Sequence, residues 1–245
     1  MALQFTVMSA PRVLVPDVEP PEVTLPADEA HHVMQVLRLE AGDPIVVFDG
    51  AGCEWDARLA SVAKRAVTAT ILQARTPVPE PATRVILAIG LLKGDAMDEV
   101  VRDATALGVA AIVPMITTHC VVPKRARGDE AIARWRRVAV SSAKQCGRAT
   151  LPELRAPAPF LEVLRLAADV KLICLEPTFP GVSIPAFATV PRTALLLIGP
   201  EGGWSRDEVA SARLAGCQGL QLGPLTLRAE LAPTVALSQF WAVFS

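Results

Sequence analysis

The chain has 245 residues, 51% hydrophobic and 20% charged, with a formal net charge of −1. That apolar content fills the core of one large domain or two modest ones and excludes intrinsic disorder. Long charge-free stretches, such as residues 109–123 and 231–245, contain proline and fall short of the roughly 18–20 apolar residues of a membrane span.

In chain order, residues 1–75 read as β-rich. Short runs at 12–15, 44–48, 54–59 and 66–72 carry β-branched or alternating apolar residues, and turns around Gly42 and Gly50 divide them. One helix is expected over 28–39, with Asp28 as N-cap and Val33, Val36 and Leu37 inward. A small barrel fits residues 1–75. Residues 76–83 form a stiff linker, with Pro77, Pro79 and Pro81 at alternate positions. From residue 84 to 245, strands and helices alternate. Strands are expected at 85–92, 109–115, 170–175, 193–198 and 220–222, several as unbroken apolar runs suited to burial on both faces. Helices are expected from an Asp95 cap to Gly108, over 129–146, from a Ser205/Glu208 capping box to Gly216, and over 230–244. Such alternation predicts a mostly parallel α/β sheet.

The N-terminus lacks the basic start and apolar block of a signal peptide, so a soluble cytoplasmic protein is expected. Five separated cysteines without a CxxC pair, and only three histidines, predict neither a disulfide framework nor a metal site. Charge is uneven. Lys124, Arg125, Arg127, Arg134, Arg136, Arg137, Lys144 and Arg148 stand against only Asp129 and Glu130. A run of this kind is either a solvated helix face or a surface for a polyanion, and its arginine content suits phosphate.

Ligands of open α/β sheets bind outside the carboxyl ends of strands. Two such ends are glycine-rich here. Gly199-Pro200-Glu201-Gly202-Gly203 precedes the Ser205 cap, and Leu222-Gly223-Pro224 precedes Arg228 and Glu230. Neither is a GxGxxG fingerprint or a phosphate loop, and no GxSxG elbow exists.

The segments GPEGGWSRDE (Gly199–Glu208) and LGPLTLRAE (Leu222–Glu230) resemble the C-terminal signatures of the RsmE family of SPOUT RNA methyltransferases. Further motifs match in order over residues 10–245: His31-His32-Val33 through Leu39, Lys93-Gly94-Asp95 through Glu99, and Gln145-Cys146-Gly147-Arg148. The resemblance implies a SPOUT-type α/β fold with a deep C-terminal trefoil knot, preceded by a small PUA-like β-barrel domain. It implies S-adenosyl-L-methionine as cofactor, a homodimer, and methylation of N3 of a uridine in 16S ribosomal RNA of the small subunit. By position, Leu175, Glu176, Pro177, Ile198, Gly199, Pro200, Gly202, Gly203, Leu222, Gly223, Leu225 and Leu227 would hold the cofactor. Arg12, His32, Arg38, Lys93, Arg125, Arg136, Arg137, Gln145 and Arg148 would meet RNA. The chain departs from the family's signatures at Ala106, His119, Leu225, Ala229 and Leu231. A SPOUT methyltransferase with another RNA target, or a catalytically degenerate RNA-binding homologue, therefore stands beside the main reading.

Uracil N3 bears a proton, so its methylation needs that proton removed and charge on O2 and O4 stabilised. Arg228 and Glu230 are the candidate pair. The rival reading makes them a structural ion pair or a dimer contact.

Overall fold

The computed structural model describes residues 10–121, 128–179 and 189–244. Contacts divide the chain into two compact units, one of residues 1–79 with 143–151, the other of 80–142 with 152–245. The segment Ala143–Leu151, which the sequence pattern places with the second half, thus groups with the first unit.

In the first unit β1 (Arg12–Leu14), β2 (Glu22–Thr24), β3 (Pro44–Phe48), β4 (Glu54–Val62) and β5 (Val67–Arg75) form one sheet in the order β1-β3-β4-β5-β2. The β4–β5 ladder shifts register at Asp56/Ala57 and at Leu59/Ser61. Such irregularities bend a strand and raise its twist, which curls the sheet around Val13, Ile45, Val47, Leu59, Val67 and Ala69. The expected helix over 28–39 is instead α1 (Ala27–His31) followed by a π-helical stretch, His32–Leu37, that ends at left-handed Arg38. Pro26 occupies the N-cap, and Asp28 lies in the first turn, where its carboxylate accepts the Glu29 amide. The wider π spacing keeps Val33 buried but turns Val36 outward, at 62% exposure.

The second unit holds a parallel sheet of β6 (Arg84–Gly90), β7 (Ala111–Ile116), β8 (Glu153–Leu154), β9 (Ala158–Pro159), β10 (Val170–Leu175), β11 (Thr193–Ile198) and β12 (Gln218–Gln221). The order is β12-β10-β11-β6-β7-β8, with β9 also on β7. Alternate residues of each strand enter different cores, as a sheet covered on both faces requires. Val85, Leu87 and Ile89 meet α2 (Ala96–Ala106), α3 (Asp129–Cys146) and α6 (Ala232–Phe244). Ala88, Leu195 and Leu197 meet α4 (Phe160–Val163) and α5 (Arg206–Leu214). The α5 start is the reciprocal box expected of Ser205 and Glu208, and Gly216 follows the helix at φ 83°. Asp95 does occupy the N-cap of α2, but its side chain makes no capping bond there. Among the described residues no helix is long and apolar enough to cross a membrane.

Candidate functional site

Parallel strands bring the loops at their carboxyl ends to one edge of the sheet. Along that edge of β12, β10, β11 and β6 lies a cleft of about 490 Å³. The β10 end contributes Cys174, Leu175, Glu176 and Pro177, and the β11 end contributes Ile198, Gly199, Pro200 and Glu201. The β12 end brings Leu222 and Gly223, then residues 225–230, while Ala96 and Ala232 close the wall from α2 and α6.

These loops hold one another by contacts that need glycine or a buried ring. Trp204 is buried, and its indole N–H donates to the Cys174 carbonyl at 2.8 Å, tying the β11 loop to the end of β10. A Cβ on Gly199 would stand 3.2 Å from that ring, and one on Gly90 would meet the Pro200 nitrogen at 2.6 Å. The Glu201 carboxylate accepts the Lys93 amide at 2.9 Å, joining the β11 and β6 loops. Glu208 accepts the amides of both Ser205 and Thr118. Burial on its own would raise the Glu208 carboxyl, but those hydrogen bonds overrule it and hold the group below the usual carboxylate range.

Of the expected cofactor residues, ten line the cleft, from Leu175, Glu176 and Pro177 through Ile198, Gly199 and Pro200 to Leu222, Gly223, Leu225 and Leu227. Gly202 and Gly203 do not. They shape it from behind: a Cβ on Gly202 would meet His119, and one on Gly203 would fall 2.5 Å from Glu176 Oε1. His119 also places Nδ1 3.3 Å from the Gly203 carbonyl oxygen. Arg228 and Glu230 both line the cleft, and among the described residues neither side chain forms an ion pair or a hydrogen bond. The rival reading's structural ion pair is therefore not formed among the described residues.

Sequence reasoning gave no cofactor role to Ala96, Cys174, Ala229 and Ala232. Their only sequence signal is adjacency to a strand end or a helix start, and small side chains there let the helices approach. Cys174 is buried and desolvation pushes its thiol far up, so it stays protonated. Cys217, at about 11, behaves alike.

The expected RNA contacts separate into two groups. Arg38, Lys93, Arg136, Arg137 and Gln145 are exposed and His32 is half-buried. Arg12, by contrast, is held inside the first unit. Its guanidinium meets Glu54 Oε2 at 2.7 Å, donates to the Arg148 carbonyl at 3.2 Å and lies 4.9 Å from the Phe48 ring centroid. Arg148 is 7% exposed. Both long cations are thus built into the fold rather than presented at its surface. Arg125 lies outside the described residues.

The family model described as RNA methyltransferase domain matches residues 79–241, and that described as RNA methyltransferase PUA domain matches residues 25–72. The ribosomal RNA small subunit methyltransferase E of Synechocystis sp. is 34% identical over 227 residues, spanning 90% of this chain and 73% of that protein. The crystal structure of the ribosomal RNA small subunit methyltransferase E from Neisseria gonorrhoeae, bound to S-adenosyl methionine, superposes with a TM-score of 0.87 at 31% identity, covering 96% of this chain and 98% of that one. A methyltransferase from Legionella pneumophila in complex with bound SAM gives 0.87 at 32% identity, covering 95% and 97%. With a cleft at the carboxyl edge of a parallel sheet, a curled N-terminal sheet, a relative 34% identical over 90% of this chain and solved structures matched along nearly their whole length, the chain belongs to the ribosomal RNA small subunit methyltransferase E family.

Proposed function

We propose that this protein uses S-adenosylmethionine to methylate N3 of a uridine in the 16S ribosomal RNA of the small subunit. The observation that carries the reading is the cleft itself, where three loops, two of them glycine-bearing, adjoin an Arg228 and a Glu230 without side-chain partners among the described residues. The lining fits a nucleoside. Leu175, Leu222 and Leu227 supply apolar walls, strand-end amides and carbonyls are at hand for an adenine, and the volume lies in the ordinary range for a small-molecule site. When bound, the cofactor supplies an electrophilic methyl group on a sulfonium.

The chain's own residues then handle the acceptor. Glu230 takes or relays the N3 proton, and Arg228 donates to the uracil oxygens where negative charge develops. Exposed Arg136 and Arg137 on α3, with Arg38 in the first unit, supply positive surface for the RNA backbone. The proposal includes the family's knotted C-terminal path, to which the convergence of the β10, β11 and β12 loops lends support. It also includes a cytoplasmic homodimer with a PUA-like docking domain at residues 1–75, a linker at 76–83 and the methyltransferase domain at 84–245. Leu225 at 74% exposure and Leu231 at 47% support a second copy covering this edge.

Labelled methyl transfer to small subunits lacking the mark tests the reaction, with the product nucleotide mapped to uridine N3. Arg228→Ala and Glu230→Ala should each lower kcat by about 10²–10⁴-fold while donor affinity is retained. Full activity in both variants rejects their roles, and no label on subunits despite donor binding rejects the substrate.

A further inference from the structure

Among the charged groups lining the cleft, Glu176 is the one set deepest by topology. It follows β10, the strand flanked by β12 and β11, so its loop is the middle of the three. Glu201 is already engaged with the Lys93 amide, and Glu230 belongs to the β12 loop beside Arg228. The Glu176 carboxylate is confined from behind, because Oε1 occupies the space that any side chain at position 203 would take. Its Oε2 is shut off from solvent and, among the described residues, has no hydrogen-bond partner. Leaving a carboxylate oxygen desolvated and unpaired is destabilising, and a fold retains such a group where something outside the chain satisfies it.

We infer that the Glu176 carboxylate recognises the ribose of the bound nucleoside, accepting hydrogen bonds from its vicinal hydroxyls. The inference rests on the donor reading above and deepens it. The chemistry favours a diol. Two adjacent hydroxyls offer two donors to the two oxygens of one carboxylate, the same solution by which an acidic side chain reads ribose in dinucleotide folds. The adenine offers only a neutral exocyclic amine, which strand-end carbonyls accept without a charge. Charge-assisted hydrogen bonds made only in the complex add to affinity. The buried, unpaired carboxylate subtracts from the stability of the free protein.

That opposition defines the test. Glu176→Gln keeps the shape and removes the charge. Calorimetric titration uses S-adenosylhomocysteine and 5′-methylthioadenosine, which share the ribose but differ in the amino-acid tail. The substitution should weaken both ligands by the same factor, on the order of tenfold to a hundredfold, while the melting temperature of the free protein stays level or rises. Loss confined to S-adenosylhomocysteine would assign the carboxylate to the ligand's ammonium and overturn the inference. Unchanged affinity for both ligands would overturn it too, as would a destabilised free protein with proportionate loss of binding, the mark of a purely structural group. Failure of the unaltered protein to bind either ligand would instead remove the donor reading on which the inference stands.

Discussion

Gly90 ends β6 at the point where the β11 loop passes over it. Replacing it by alanine would put a methyl group 2.6 Å from the Pro200 nitrogen, 2.7 Å from its Cδ and 3.0 Å from its Cβ. None of these atoms is the far end of a flexible chain. The proline ring and its backbone must move together, and with them the cleft residues Gly199 and Glu201. Forcing a methyl into a packed site costs about 1–3 kcal/mol. Restricting the unfolded chain returns up to about 1 kcal/mol, since Gly90 needs no left-handed backbone that alanine would resist. The net expectation is a loss of about 1–2 kcal/mol, or a fall in melting temperature of roughly 2–8 °C for a unit of this size. Because the displaced atoms form a wall of the cleft, S-adenosylhomocysteine affinity should fall as well. Denaturant unfolding paired with calorimetric titration reads both quantities. An alanine variant with unaltered stability and affinity would refute the close-approach argument.

Two pH-linked predictions follow from the carboxylates. Glu208 is held below the ordinary value of 4.5, so its contribution to stability is present above that value and is lost as pH falls through the lowered one. Glu208→Gln should flatten this acid limb and weaken the α5 cap by about 0.5–2 kcal/mol, and an acid limb identical to the unaltered protein's would refute it. In the first unit Lys144 bonds both oxygens of buried Glu29, with Oε2 at 2.6 Å. Burial pushes that carboxyl up from 4.5 despite the ammonium, so its contribution is full below the ordinary value and lost as pH rises through the raised one. Lys144→Met should destabilise by less than the roughly 3–5 kcal/mol of a fully buried pair, because Lys144 is 19% exposed. The deficit should shrink as pH falls, and an equal deficit at pH 4 and pH 7 would contradict the account.

Local chemistry made much of this molecule legible in the chain. Unbroken apolar runs mark β10 at Val170–Leu175 and β11 at Thr193–Ile198, because a strand buried on both faces has no polar alternation to display. The Ser205/Glu208 box and the glycine after α5 act within a few residues, so their signals survive intact in the sequence. The strand-end loops of the cleft were readable for the same reason, as ten of the twelve expected positions line it. Tertiary structure alone decided the rest. Two-residue strands such as β8 and β9 are too short to carry a period and exist only because β7 lends them an edge. The π-helical turn that exposes Val36 has no composition of its own. Arg12 and Arg148 look like surface cations in sequence, yet a carboxylate 42 residues from Arg12 draws it inward and the fold buries the other. The burial of Glu176 Oε2, which has no hydrogen-bond partner among the described residues, is likewise a product of what surrounds it, since burial and partnership are set by chain segments that meet only in space.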